Sequence, residues 1–316
     1  MPRTMLNDQH WSKLLSIFRN FDIYFKSNLR NFVEAILYRI RTGCPWRDLP
    51  KEFGSYNSIF KKYNRWCKND KLMKIFKLIS SNADMEWVFI DGSHVRAHQH
   101  SAGIKDQDIS KSIGGNSSKI HLAVDADGNP IEIIISDGTI HDVKIAPKMI
   151  EKLDLSETEV CCADKGYDSE SLREQISAKK TKANIPRKSN TQSNNDHMDW
   201  YLYKIRHLVE NAFCRLKQFR GIATRYDKLK CSYEGAVALA CIFIWLPLSG
   251  KFYTLNVNRP YCDDQKETVL KISYRDVGLA YYEWRLSYLN INWLKNNKID
   301  EYKQRSLALI PFIQAQ

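Results

Sequence analysis

The apolar positions of the first 70 residues recur at helical spacing. One apolar stripe, which predicts a helix, consists of Phe32, Val33, Ile36, Leu37 and Ile40. Gly43 and Pro45 end this helix, because glycine favours the left-handed C-terminal cap and proline cannot continue a helix. A second helix is predicted from Tyr56 to Lys68, with Ser55 as its N-cap.

The second predicted helix has two unlike faces. Its apolar face contains Tyr56, Ile59, Phe60, Tyr63, Trp66 and Cys67. Its polar face contains Asn57, Ser58, Lys61, Asn64, Arg65 and Lys68. Two packed helices with such a basic, amide-rich face are similar to a helix-turn-helix, in which cations contact phosphates and amides contact bases. A plain helical bundle with a solvated charged face fits the same pattern equally well, so both interpretations stay open.

From residue 85 the apolar spacing changes to that of strands separated by helices. In chain order the predicted elements are strands 86–90, 118–125 and 131–135, helix 143–153, strand 159–163, helix 169–178, strand 182–185 and a long helix 198–219. Residues 98–117 and 187–197 are polar and predict loops. Three antiparallel strands that lead into a parallel part flanked by helices are the order of the ribonuclease H-like fold.

The predicted fold class is therefore α/β, with a mixed five-stranded sheet flanked by helices. Residues 1–80 form the predicted N-terminal all-α, helix-turn-helix-like DNA-binding region, and residues 84–246 form the ribonuclease H-like core. Residues 247–316 are a C-terminal extension of unknown role. The longest apolar run, Ala236 to Leu246, is about half of the ~20 residues that a membrane span needs, so we expect no membrane partner.

The charge favours a polyanionic partner. The chain has 48 Lys and Arg against 36 Asp and Glu, a formal net charge of +12 and an isoelectric point near 9.2. Residues 1–70 alone carry 13 basic and 6 acidic side chains. A surplus of this size is typical of proteins that bind nucleic acid, although a basic surface also serves solubility. The eight cysteines form no C-x-x-C pair, which argues against a structural zinc site.

Two acids directly follow predicted strands, and a third lies on the long helix. Asp91 and Asp164 occupy the strand ends, where α/β folds gather functional groups, although either one alone could be a helix cap. On a helical wheel Tyr203, Arg206, Glu210 and Lys217 share one narrow strip beside the apolar face. A surface ladder of ion pairs would explain Arg206 and Glu210, which are i,i+4 partners, but not the other two positions.

These residues carry a family resemblance. The spacing Tyr203-x2-Arg206-x3-Glu210-x6-Lys217 resembles the Y-R-E-K signature of DDE transposases from bacterial insertion sequences. Further segments resemble motifs of the same family, namely Ile90-Asp91-Gly92-Ser93, Ala163-Asp164-Lys165-Gly166-Tyr167-Asp168, and Gly114-Gly115 with Ser118-Lys119-Ile120-His121. Residues 43–50 with Phe53-Gly54 are similar to the DNA-binding region of the insertion-sequence-five group. The resemblance covers about residues 5–246 and stops before the extension.

The resemblance implies metal-dependent DNA chemistry. Asp91, Asp164 and Glu210 would hold two Mg²⁺ or Mn²⁺ ions, because carboxylate oxygens suit these hard cations. Arg206 and Lys217 would face DNA phosphates, and Tyr203 would stack on a base or hydrogen-bond a phosphate. Family members first use water to free the transposon end, and the resulting 3′-hydroxyl then attacks target DNA. The implied partners are double-stranded transposon ends and target DNA, bound by a homo-oligomer in the bacterial cytoplasm at the nucleoid.

Other interpretations of the same residues stay open. His94, His98 and His100 cluster after the first acid, but no acid or cysteine accompanies them at ligand spacing. Asp142 and Asp168 each stand at a predicted helix start, which favours capping. Asp227 is a rival for the role of third acid, but it follows Gly221 and has no cationic strip beside it.

Two other functions compete with the transposase hypothesis. One is a ribonuclease H-like nuclease that cleaves DNA without strand transfer. The other is a non-catalytic DNA-binding remnant of a transposase. Inverted repeats on either side of the coding sequence would favour the transposase over the plain nuclease.

Overall fold

The computed structural model describes residues 2–21, 23, 27–188 and 194–247. The extension predicted for 247–316 lies outside the described residues except for its first position. In the described ranges the helices are α1 (Asp8–Arg19), α2 (Leu29–Thr42), α3 (Tyr56–Lys68), α4 (Lys71–Ile79), α5 (Asp142–Lys152), α6 (Glu170–Ala178), α7 (Trp200–Ile205), α8 (His207–Lys217), α9 (Arg220–Ala223) and α10 (Lys230–Trp245). The strands are β1 (Trp87–Ala97), β2 (Ser110–Ser112), β3 (Gly115–Val124), β4 (Pro130–Asp137), β5 (Val160–Ala163), β6 (Lys182–Asn184) and β7 (Thr224–Arg225).

The sheet has the predicted mixed order. β3 pairs antiparallel with β1 on one side and with β4 on the other. β5 pairs parallel with β1, and β6 pairs parallel with β5, so the main order is β4-β3-β1-β5-β6. Three antiparallel strands followed by two parallel ones, flanked by helices, confirm the ribonuclease H-like fold. Among the described residues the sheet has seven strands where the sequence predicted five, because the short strands β2 and β7 also pair with β3 and β1.

The first strand is longer than the sequence predicted. We expected it to end at Asp91, but β1 continues to Ala97. The continuation is held by β3, whose antiparallel pairing runs from Phe89 opposite Val124 to Arg96 opposite Ser117. The predicted loop 98–117 also contains regular structure, namely a 3₁₀ turn, the strand β2 and the start of β3.

The predicted long helix 198–219 is divided at Arg206 into α7 and α8. At the junction the backbone N–H of Arg206 donates to the carbonyl of Tyr203, and the N–H of Val209 donates to the carbonyl of Arg206. These i→i+3 bonds tighten the turn, as in a 3₁₀ helix. The helical spacing of the apolar residues continues through such a tightened turn, so the sequence pattern did not reveal the break.

The helix α10 packs against both the N-terminal helices and the sheet. The Tyr63 hydroxyl of α3 donates to the carbonyl of Ser232 in α10, and a Cβ placed at Gly235 would lie 2.5 Å from the sulfur of Cys67. At its other end, α10 reaches the sheet, where the indole N–H of Trp245 donates to the carbonyl of Pro130 at 2.6 Å. Across the described ranges, no helix has both the length and the hydropathy that crossing a bilayer requires.

The surface of α3 differs from its predicted form at two positions. Tyr56 and Phe60 were assigned to the apolar face, but they are 41% and 38% exposed. The ring of Phe60 instead packs against Trp46 with centroids 5.3 Å apart, in the turn that precedes α3. Ser55 occupies the predicted N-cap position without a capping side-chain hydrogen bond.

Candidate active site

Parallel pairing places two of the predicted acids side by side. The last parallel pair of β1 and β5 joins Ile90 to Ala163, so Asp91 and Asp164 are the next residues on the two chains. The Asp91 side chain is about one-fifth exposed. The Asp164 carboxylate accepts the N–H of Gly166 and so caps a short 3₁₀ turn. Asp164 therefore does cap a turn, as the alternative interpretation expected. Its carboxylate also lies at the carboxyl end of β5, beside Asp91.

Arg206 joins the first acid to the third. Its Nη1 donates to Oδ2 of Asp91 at 2.9 Å, and its Nη2 donates to Oε1 of Glu210 at 2.8 Å. The predicted ion pair with Glu210 is therefore present, and the same guanidinium also reaches β1 across 115 positions of sequence. The break at Arg206 places Glu210 in the first turn of α8. We call Asp91, Asp164, Arg206 and Glu210 the acid edge.

The charges of the acid edge influence one another. Burial raises the pKa of Asp91, and the nearby Asp164 raises it further. The Gly92 N–H and the Arg206 guanidinium oppose this shift but do not cancel it. Burial lowers the pKa of Arg206, but Asp91 and Glu210 outweigh it, so the net shift is upward. A cation is therefore firmly held between carboxylates that are partly withdrawn from water.

The remaining two residues of the predicted strip also lie beside the acids. The ammonium of Lys217 donates to the Ser93 hydroxyl at 2.6 Å and to the His94 carbonyl at 3.1 Å, which ties α8 to β1. The Tyr203 ring lies 5.8 Å from the Arg206 guanidinium. The structure thus brings the whole Y-R-E-K strip close to the part of β1 that contains Asp91, just after its parallel pairing with β5 ends.

A fourth acid adjoins this edge, and sequence reasoning assigned it wrongly. Asp142 was predicted to cap a helix, but it makes no capping bond. Its Oδ1 instead accepts from Lys119 at 2.9 Å and lies 3.5 Å from Nδ1 of His121. A Cβ at Gly92 would come within 2.6 Å of that same oxygen, so the glycine gives this cluster room beside Asp91. Burial lowers the pKa of His121 to about 4, so its imidazole is neutral at pH 7.

Tyr167 is a functional candidate that the sequence analysis did not single out. Its side chain is almost wholly buried, and its hydroxyl has no hydrogen-bond partner among the described residues. Burial raises its pKa, and the nearby carboxylates Asp142, Asp91 and Asp164 raise it further. A protonated phenol therefore lies among three carboxylates. The only signal in the sequence was its position in the segment Ala163–Asp168, which resembles a motif of the family.

The other candidates have structural partners. Asp168 was predicted to cap a helix, but Ser169 holds that position, and Asp168 accepts from Arg173 at 2.8 Å. The rival acid Asp227 is buried and pairs with Arg39 at 3.1 Å. Within the described ranges no three His, Cys, Asp or Glu side chains are grouped closely enough to hold a metal ion as they stand.

The arrangement of the histidines and of the acid edge agrees with that finding. His98 lies with its ring 4.8 Å from His100 and 5.1 Å from Tyr226. At the acid edge the Arg206 guanidinium stands between Asp91 and Glu210. The carboxylate oxygens there have the chemistry that Mg²⁺ and Mn²⁺ prefer, so the donor set fits these ions once Arg206 has another partner.

The predicted DNA-binding side chains of α3 are displayed at the surface. The exposed ones are Asn57, Ser58, Lys61, Arg65 and Lys68. Asn64 is half-buried, and its side-chain oxygen accepts from the Ser232 hydroxyl at 3.5 Å. Asn64 is thus the one member of the predicted face that is partly engaged with the core.

Comparison with protein families gives two matches that together span most of the described chain. The model of the "Transposase DDE domain" matches residues 82–245, which include the acid edge. The model of the "Putative transposase of IS4/5 family" matches residues 6–76.

Two curated relatives are similar in sequence. A Brucella ovis protein named "Putative transposase for insertion sequence element IS6501" is 38% identical over 131 residues, which are 41% of this chain and 98% of the relative. The protein y4sN of Sinorhizobium fredii is 40% identical over 80 residues, 25% of this chain. The chain spans 64% of the length of that second relative.

The comparison with solved structures gives matches of lower similarity. A piggyBac transposase synaptic complex with hairpin DNA has 10% identity and a TM-score of 0.44, covering 79% of this chain and 69% of that one. A pre-cleavage Mos1 transpososome has 8% identity and a TM-score of 0.25, covering 79% of this chain and 89% of that one.

Proposed function

Because this chain belongs to the family of transposase DDE domains, we propose that it is a DNA transposase of a bacterial insertion sequence. It binds the ends of the element, cleaves DNA strands by metal-dependent hydrolysis and joins the 3′-hydroxyl ends to target DNA. The observation that carries this proposal is the acid edge, where Asp91 and Asp164 follow the last parallel strand pair and Arg206 links Asp91 to Glu210.

Members of the family generally use divalent metal ions. In this chain Asp91, Asp164 and Glu210 would hold two Mg²⁺ or Mn²⁺ ions, since all three offer hard carboxylate oxygens. Such ions, when bound, supply an activated water and neutralise the charge of the scissile phosphate. Tyr167 contributes a buried, protonated hydroxyl near these carboxylates, and this hydroxyl can donate a hydrogen bond to one of them.

Arg206 couples DNA binding to the exposure of the acids. Its two Nη atoms are occupied by Asp91 and Glu210, so the two carboxylates share one positive charge and one internal hydrogen-bond partner. A DNA phosphate presents two oxygens that match the same guanidinium fork. When Arg206 turns to a phosphate, Asp91 and Glu210 lose their partner and their oxygens become available. Tyr203 lies beside Arg206 and is placed to stack on a base near that phosphate.

Lys217 serves the same edge from the next turns of α8. Its bonds to Ser93 and to the carbonyl of His94 hold α8 against β1, which fixes Glu210 relative to Asp91. One of its three donors remains available to a phosphate oxygen. We therefore assign Lys217 a DNA-facing role together with this positioning role.

The N-terminal region, residues 1–80, supplies the second DNA contact in this proposal. On α3, Lys61, Arg65 and Lys68 face phosphates, whereas Asn57, Ser58 and Asn64 face bases. Residues 84–246 form the catalytic core. The partners are the double-stranded ends of the element and the target duplex, bound by a homo-oligomer in the bacterial cytoplasm at the nucleoid.

The deciding experiment is cleavage and joining of DNA that carries the candidate ends, in the presence of Mg²⁺. Glu210→Gln removes one negative ligand at almost constant volume, and we expect it to abolish both cleavage and joining. The matched control is Glu174→Gln, since Glu174 is an exposed glutamate of α6 on a different element. Cleavage without a joined product would support a plain nuclease, and normal cleavage by the Glu210→Gln variant would remove Glu210 from the site.

A further inference from the structure

A cleft lined by lysines opens along the free edge of the sheet, which is formed by β4, and none of the acid-edge residues lines it. Its volume is about 650 Å³, and it lies between α4, the edge strand β4, α5 and the start of α10. Five of its lining residues are lysines, namely Lys74, Lys77, Lys148, Lys152 and Lys230. Two lining residues are acids, Asp70 and Glu234. We call this feature the lysine cleft.

The lysines at the base of the cleft are fixed by a buried acid. Glu132 is 1% exposed, and it forms ion pairs with Lys77 from α4 and with Lys152 from α5, the latter at 3.9 Å. Lys77 also donates to the carbonyl of Ile131 at 3.0 Å and so covers part of the free edge of β4. One lysine from each helix is thus held in place across the strand edge.

The lysines at the rim of the cleft carry charges that no acid of the described residues pairs with. Lys74 and Lys148 are exposed, and neither makes an ion pair within the ranges described. These two ammonium groups, one on each helix wall, add positive charge to the mouth of the cleft, and they are available to an anion from solvent. The cleft therefore fits an extended anion that can reach both walls.

The wall formed by α5 connects the cleft to the acid edge. α5 begins at Asp142, whose carboxylate lies close to Gly92. Gly92 directly follows Asp91 in the chain, so this end of α5 lies near the acid edge. From there Lys144, Lys148 and Lys152 recur every four residues, about 6 Å apart along the helix axis. The row thus offers successive positive charges along a direction that leads away from the acid edge, which suits a phosphate backbone.

We propose that the lysine cleft binds the sugar–phosphate backbone of duplex DNA that extends beyond the scissile phosphate. The inference rests on the proposed function for the position of that phosphate. The formal charge of +12 and the row of lysines on α5, which leads from the acid edge to the cleft, favour a long phosphate backbone over a short acidic peptide. The cleft is then a DNA contact separate from α3 and from the acid edge.

The test uses the full-length protein and removes the two rim lysines together, as Lys74→Gln with Lys148→Gln. The matched control is Lys180→Gln with Lys182→Gln, at the opposite edge strand β6. DNA affinity is measured against salt concentration on end duplexes with and without a long flanking arm. We expect the slope of log affinity against log salt to become shallower by about 1.8 on the long duplex, since each lost phosphate contact contributes about 0.9.

On the short duplex the rim variant, the control and the parent should give the same slope and the same cleavage. An unchanged slope on the long duplex, in a rim variant with the parental melting temperature, overturns the inference. So does a parent protein that binds an acidic peptide in the cleft but gains nothing from the flanking arm. If the arm-dependent slope change is present but the parent never cleaves end DNA, the inference stands and the proposed function fails.

Discussion

The acid edge and the outer face of α3 are built in opposite ways, although both are proposed to contact DNA. At the acid edge the functional groups bond one another, with Arg206 donating to Asp91 and to Glu210 at 2.9 and 2.8 Å. On α3 the side chains of Lys61 and Arg65 are exposed and make no such internal bonds among the described residues. The first surface is organised before any ligand arrives, whereas the second is organised by what it binds.

The difference teaches where each kind of mutational effect should be found. Groups whose backbone positions the fold already sets can lower a reaction barrier, because only a side chain such as Arg206 has to change its partner when DNA binds. Exposed cations mainly add affinity, which salt screens. Mutations at the acid edge should therefore change the rate of chemistry, and mutations on α3 should change the affinity for DNA.

The largest effect is expected at the three carboxylates. Asp91→Asn, Asp164→Asn and Glu210→Gln should each lower the rate of strand cleavage on the order of 10⁴-fold, the scale of losing a catalytic group. Because each amide keeps nearly the same volume, DNA affinity and melting temperature should stay near the parental values. Rapid-quench cleavage at saturating DNA measures the rate. The control Asp154→Asn alters an exposed loop aspartate and should leave the rate unchanged.

The next effect concerns the cation that joins the acids. Arg206→Gln should lower cleavage on the order of 10²-fold, comparable to the loss of one preorganised donor. The same variant should bind Mn²⁺ more tightly than the parent in the absence of DNA, because Asp91 and Glu210 lose their internal partner. Mn²⁺ binding followed by electron paramagnetic resonance measures this, with Lys204→Gln as the neighbouring control. Weaker Mn²⁺ binding by the Arg206→Gln protein would contradict the coupling between Arg206 and the acids.

A third effect tests whether the two surfaces belong to one folding unit. Gly235→Ala would place a Cβ 2.5 Å from the sulfur of Cys67, at the contact between α10 and α3. We expect about 1–3 kcal/mol of destabilisation, as for other overpacked cores, in a single cooperative transition. Denaturant unfolding checks this. The double variant Gly235→Ala with Cys67→Ala should recover part of the loss, and full additivity of the two changes would argue against direct contact.

The smallest effect is expected on α3. Lys61→Gln with Arg65→Gln should reduce the slope of log affinity against log salt by about 1.8, with little change in the cleavage rate at saturating DNA. Fluorescence anisotropy over a range of salt concentrations gives the slope. A fall in the saturated cleavage rate as large as that of Arg206→Gln would erase the distinction between the two surfaces.

The order of elements and the acids could be predicted from the sequence because local patterns specify them. The apolar spacing gave α3 its full extent, and the strands on either side of residues 127–130 formed the predicted hairpin of β3 and β4. Asp91 and Asp164 stand out in sequence because each follows an apolar run. Their adjacency in space also needed the parallel register of β1 and β5, which the order of elements implied.

The contacts between distant segments could not be predicted in the same way. Nothing near Asp142 in the chain indicates that Lys119 reaches it, because that contact depends on how α5 lies against β3. The exposure of Tyr56 and Phe60 likewise depends on the short turn containing Trp46, whose path the helical pattern does not specify. Helical periodicity identifies which side of a helix is apolar. It does not show how much of that side the neighbouring elements will cover.

The buried pair of Arg39 and Asp227 has a consequence for synthesis of the protein on the ribosome. The two residues are separated by 188 positions, so Arg39 of α2 emerges long before its partner exists. At roughly 5–20 residues per second, the delay is on the order of 10–40 s. During that interval the arginine and the surfaces that α10 will cover face water, the nascent-chain chaperones or other chains. Completion of α10, the last helix of the described residues, thus sets the earliest time at which these segments can take up their folded arrangement.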